Sequence, residues 1–162
     1  MTRDATFEEG SEQPLRLMAV DRDDLSVVSA LVQDAVLPIT EMNWVRSDGR
    51  FAMLINRFRW EDRDRASQQG RGYERVQSVL VFDTVTKVAY SGIDLKDKDQ
   101  IVSILSLDFE EADVPSGVVT VNLAGDGALA LTVECLDVLI KDVTRPYLAP
   151  SGSEPRHAED KE

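Results

Sequence analysis

Cysteine and histidine each occur once in the 162 residues, as Cys135 and His157. A lone cysteine permits no intrachain disulfide and leaves no cysteine pair to hold zinc or run thiol exchange. The lone histidine stands in "SGSEPRHAEDKE", a polar stretch unable to bury much apolar surface, which excludes a histidine-dependent triad inside the fold. No run approaches the roughly 18 consecutive apolar residues of a membrane-spanning helix. The opening "MTRDATFEEGSEQP" has no apolar signal-peptide core. A phosphate-binding glycine loop leading into a helix with lysine is also missing, and "SGID" and "AGDG" read as turns. These absences give the expectation of a cytoplasmic protein with no membrane segment, no metal and no cofactor.

What is present is apolar content and acid. Hydrophobic residues make up 43% of the chain, enough for one core. The formal charge of -12 argues against general affinity for nucleic acid or anionic membranes, because the long-range field repels phosphate. The charge is unevenly spread. Between positions 46 and 75 stand eight arginines, at 46, 50, 57, 59, 63, 65, 71 and 75, against five acids at 48, 61, 62, 64 and 74. That segment is locally positive inside an acidic protein.

Residues 1–14, with acids, Gly10 and Pro14, read as a disordered arm, and residues 149–162 as a disordered tail, leaving a single α+β domain over 15–148. "LRLMAV" fits a short first strand. Asp21 or Asp23 can cap a helix in which Leu25, Val28, Leu31, Val32 and Val36 recur at helical spacing, and Pro38 limits its extension. Strand signals follow. One hairpin is expected around Ser47-Asp48-Gly49, a second turning between Asp83 and Lys87, a strand at "IVSILSLDF", and a third hairpin around Gly125-Asp126-Gly127. "CLDVLIKDV" places Leu136, Leu139, Ile140 and Val143 on one helical face and predicts a closing C-terminal helix. The expected architecture is a first strand, an early helix, about seven further antiparallel strands and a closing helix, making a curved antiparallel sheet or partial barrel, a layout similar to the pleckstrin-homology-like superfold.

Chemistry-bearing candidates are few. Asp94, Asp97 and Asp99 lack the spacing and the glycine of a calcium loop and read as a solvated loop. Cys135, between a strand and the expected helix start, reads as a buried structural cysteine. The charge run "FAMLINRFRWEDRDR" is the remaining candidate. On a straight strand Arg57 and Arg59 continue the row of Phe51, Met53 and Ile55, while Phe58 and Trp60 continue the opposite row. One reading takes the strand out of the core near Asn56, with Arg63 and Arg65 pairing with Glu61, Asp62 and Asp64 as a solvated edge. The sharper reading makes Arg57, Arg59, Trp60, Arg63, Arg65, Arg71 and Tyr73 a binding surface for an acidic protein partner or a small anionic ligand. Two alternatives stay open: a small enzyme using paired carboxylates or an arginine-held anion, and a single-stranded RNA binder.

"LRLMAVDRDDLSVVSALVQDAV", "RFAMLINRFRWE" and "LTVECLDVLIKDV" together resemble a family of small alphaproteobacterial proteins described as a domain of unknown function. The resemblance covers the chain from Leu15 to about Leu148. It is specific as to family and carries over no activity and no catalytic or ligand residue, so the expectation of a non-enzymatic binding or adaptor module rests on the arginine-rich segment alone.

Overall fold

The computed structural model describes residues 13–70 and 72–148. The expected arm, apart from Gln13 and Pro14, and the expected tail lie outside these residues, as do Arg71 and His157. The elements in chain order are β1 (Arg16–Ala19), α1 (Arg22–Val32), β2 (Val36–Pro38), β3 (Met42–Val45), β4 (Arg50–Phe58), α2 (Arg63–Gln68), β5 (Glu74–Phe82), β6 (Val85–Ser91), β7 (Ile101–Glu111), β8 (Gly117–Leu123), β9 (Ala128–Val133), β10 (Val138–Asp142) and β11 (Tyr147–Leu148). Short 3-10 turns precede β3, β4 and α2. The strands form one open sheet in the order β1-β10-β5-β4-β2-β7-β8-β9-β6, with β3 beside β4 and β11 beside β5. Every pairing among the described residues is antiparallel.

α1 forms where its stripe predicts as far as Val32, whereas Val36, expected on the same helical face, opens the strand β2. The Asp21 carboxylate accepts the Asp24 N–H at 2.8 Å, satisfying an orphan donor of the first turn. Leu25, Val28 and Val32 are buried. The helix lies chiefly against β7 and is pinned there by the Ser29 hydroxyl, which accepts the Leu107 N–H at 2.9 Å. Asp34, at φ 63, then turns the chain into β2.

The sheet has two halves. In the first, the registers of β4, β5, β10 and β1 align side chains into cross-strand rows: Phe51, Phe82, Val138 and Ala19, all buried, then Met53, Leu80 and Ile140, buried, with Leu17 exposed at the end of the row, then Ile55, Ser78 and Asp142, buried. In the second, Val119 and Val121 of β8 face Leu131 and Leu129 of β9, with Leu107 of β7 opposite Val121. Apolar side chains of both halves and of α1 join one buried cluster, which turns both sheet halves toward a common core.

Three expectations need correction. The segment 135–144 is not a closing helix: it supplies β10, an inner strand between β1 and β5. Leu136, Val138, Ile140 and Asp142 are the buried residues, a period of two. The helical stripe through Leu139 and Val143 was the competing pattern, and a short apolar run cannot decide between the periods by itself. β5 and β6 turn at Asp83 and Thr84 but do not pair; β5 pairs with β4 and β10, and β6 with β9. With the closing helix gone, the pleckstrin-homology-like layout loses its basis, and the described residues hold eleven strands where a first strand and about seven more were expected. The hairpins at Ser47-Asp48-Gly49 and Gly125-Asp126-Gly127 form as β3–β4 and β8–β9. Gly49, Gly125 and Asp126 take the positive φ that these turns demand.

Candidate functional site

β4 does not leave the core at Asn56. Arg57 continues the inward row of Phe51, Met53 and Ile55, and its side chain is 0% exposed. A buried guanidinium must satisfy its five N–H donors within the fold. Here Nη1 and Nη2 fork onto the two Glu61 carboxylate oxygens at 2.9 and 2.7 Å. Nη2 also donates to Asp142 Oδ1 at 3.0 Å, and Nε donates to Ser78 Oγ at 3.0 Å. The Phe58 carbonyl accepts from Nη1 at 3.4 Å. Ser78 in turn donates its hydroxyl to Asp142 Oδ1 at 2.7 Å, and Asp142 Oδ2 accepts the Leu15 N–H at 2.9 Å. Burial alone would push the Arg57 guanidinium down, but the bonds and charges of Glu61 and Asp142 outweigh it and hold the group above its ordinary value.

This network ties β1, β4, β5, β10 and the turn after β4 into one piece. Arg59 extends it. Its side chain, also buried, is ion-paired with Glu74 and stands 3.6 Å from Asp62 Oδ2. Its backbone N–H donates to the Glu74 carbonyl at 2.9 Å. Arg75 is held by neutral oxygens: Nε donates to Asn56 Oδ1 at 2.6 Å and Nη2 to the Asn56 carbonyl at 3.0 Å. Burial pushes the Arg75 guanidinium down, with Tyr147 and Asp34 partly opposing.

The expected binding surface is therefore divided. Arg57 and Arg59 lie inside and bind the protein's own acids, so the expectation of both on an exposed face is corrected. The reason is the unbroken alternation of β4, which carries Arg57 into the core, where Asp142 awaits it. Trp60 is half-buried, its indole N–H donating to the Gln33 carbonyl at 3.0 Å. Phe58 links Trp60 and Tyr73, with ring centroids 4.6 and 5.7 Å away. Arg63 lies outermost. Its side chain is 45% exposed, stands 3.4 Å from Asp64 and sits 5.8 Å from the Trp60 ring centroid. Arg65 is half-buried on α2. Of the acids expected beside Arg63 and Arg65, Glu61 serves Arg57, Asp62 stands by Arg59, and Asp64 lies 3.4 Å from Arg63.

Asp142 and Ser78 are the members that sequence reasoning missed. The signal available was the period-two placement of Asp142 after Leu136, Val138 and Ile140. A cavity of about 460 Å³ opens beside the network, lined by Arg59, Glu74, Asp142, Thr144, Arg145 and Pro146. It holds two carboxylates, each already accepting from a guanidinium. Elsewhere, Asp94 and Asp97 side chains accept loop backbone N–H groups of Lys96 and Asp99. Among the described residues no cluster of three or more metal-ligating side chains occurs. Cys135 is half-buried in the β9–β10 connection, its thiol 3.8 Å from the Thr84 hydroxyl. No helix among the described residues is long and apolar enough to cross a membrane.

A family model described as a protein of unknown function (DUF2948) matches residues 15–157. No curated protein and no solved structure matches the chain.

Proposed function

The chain belongs to this family of proteins of unknown function, and we propose, from geometry alone, that it is a non-enzymatic binding or adaptor module that grips an acidic protein segment with the loop from Trp60 to Tyr73. One observation carries the reading. Arg63 stands half-exposed over Trp60 on a turn that the buried Arg57 fork to Glu61 locks from beneath. Contact residues concentrate on loops held by rigid scaffolds, and arginine beside an aromatic ring is the pairing that interfaces favour. In this arrangement Arg57 and Arg59 are anchors, and Trp60, Arg63, Arg65 and Tyr73 form the contact side. A cytoplasmic setting accords with the single cysteine.

Two alternatives have less support. The carboxylates Glu74 and Asp142 share a cavity, but both are engaged by arginines, which disfavours acid-base work there. Single-stranded RNA would meet a net charge of -12. The test is capture from a cell extract with and without nuclease, comparing the wild type with Arg63→Glu after circular dichroism has shown both folded. A stoichiometric, nuclease-resistant protein that Arg63→Glu releases, and that a synthetic acidic peptide displaces, supports the reading. Equal recovery by both proteins overturns it, and a partner lost with nuclease moves the function to RNA.

A further inference from the structure

Among the described residues the open sheet has two edges, β6 and β1, and they differ. At β6 the register shifts between Val85 and Lys87, and exposed Thr86 and Lys87 face solvent at that point. A bulge and a lysine are the usual devices by which an edge refuses another strand. At the opposite edge β1 runs without a shift, Arg16 to Ala19 pairing in register with Lys141 to Val138. The Asp142 N–H donates to the Leu15 carbonyl, so the antiparallel alternation turns the backbone groups of Leu15, Leu17 and Ala19 toward β10 and those of Arg16, Met18 and Val20 outward. Met18 is 52% exposed and Val20 62%.

From this edge we infer that the protein self-associates, two copies pairing antiparallel along β1 about a two-fold axis at Met18. Charge selects a second copy as the occupant. The start of the strand is basic, with Arg16 beside its register partner Lys141. The residues just past its end are acidic, Asp21, Asp23 and Asp24 standing against Arg22. Antiparallel pairing lays the basic end of one copy on the acidic end of the other, whereas a parallel pair sets like ends together. Such a contact is isologous: each copy offers Arg16 opposite Val20 of the other, and the two Met18 side chains meet at the axis. The strand is short, so the dimer forms and dissociates with concentration.

The experiment is sedimentation velocity across a concentration series for the wild type and Met18→Pro, with a cross-linking arm. The proline removes an outward N–H and no ladder bond, so unchanged circular dichroism with loss of the dimer is expected. Met18→Cys in a Cys135→Ser background should oxidise to a disulfide-linked dimer, because facing Cα atoms about 5.5 Å apart suit that bond. Leu95→Cys, on an exposed loop residue, should not. Arg16→Glu should shift the monomer–dimer midpoint to higher concentration. A wild-type protein that stays monomeric up to millimolar concentration overturns the inference. So does a dimer that Met18→Pro leaves intact and Met18→Cys fails to link.

Discussion

The half of the sheet made of β7, β8, β9 and β6 buries hydrocarbon row upon row, while the half made of β1, β10, β5 and β4 follows the same alternation until it reaches Ile55, Ser78 and Asp142, with Arg57 alongside. Both halves are antiparallel, and both feed one core. The first is held by surface removed from water, a non-directional force. The second ends in a charge that is stable inside only while each donor has its acceptor. Hydrocarbon packing demands shape but no donor–acceptor angle. A guanidinium fork demands both.

Removing the bolt should produce the largest effect. Arg57→Ala leaves Asp142 buried without its cation, and a loss of about 3–5 kcal/mol is expected, measured by urea unfolding. The instructive companion is Arg57→Met with Ser78→Ala and Asp142→Leu, which turns the charged half into a copy of the apolar one. Its stability should recover most of the loss, since well-packed hydrophobic replacements of buried ion pairs are often neutral or better. If the triple variant is as unstable as the single one, the two halves differ in more than the chemistry of one row. Leu131→Ala, in the apolar half, should cost about 2–4 kcal/mol through lost transfer and a residual cavity. Ser78→Ala is smaller: it removes one hydroxyl from a charged acceptor and should cost about 1.5 kcal/mol. Salt should leave both costs nearly unchanged, because neither site is solvated.

The same contrast explains what could be read in advance. The β8–β9 hairpin was legible because Val119, Val121, Leu129 and Leu131 each declare the buried face, and Gly125 and Asp126 mark the turn. α1 was legible from its Asp21 cap and from its stripe up to Val32, though not at Val36, which belongs to β2. β10 was not, because a strand whose buried row ends in an aspartate loses its apolar signature there, and the helical spacing of Leu136, Leu139, Ile140 and Val143 filled the gap. The candidate site was half legible for the same reason. The alternation placed Arg57 on the row of Phe51, Met53 and Ile55, which is where it lies. Its inward fate depended on Asp142, 85 residues away in sequence, and no local pattern links two such distant residues. Local charge counting also misled: the positive excess of residues 46–75 is met partly by Asp142 and by Asp83, which pairs with Arg50 at 2.9 Å.

The smallest expected effect is also the one that separates two arginines of a single charge run. Arg57 and Arg63 are six residues apart, yet one is fully buried and the other is 45% exposed. If the buried row confers stability and the outer loop serves a partner, Arg63→Ala should change unfolding free energy by no more than about 0.5 kcal/mol, as for an ordinary surface site. The Trp60 stack stays, because its indole is held by the Gln33 carbonyl and its ring by Phe58. Urea unfolding of Arg63→Ala beside Ser78→Ala makes the comparison directly. A cost equal to that of Ser78→Ala would draw Arg63 into the internal network, and the loop would then be a brace for β4 and not a surface kept for binding. A negligible cost leaves its charge without a structural task that the fold needs, and that is the condition under which an exposed arginine over a tryptophan is best explained by what it touches outside the chain.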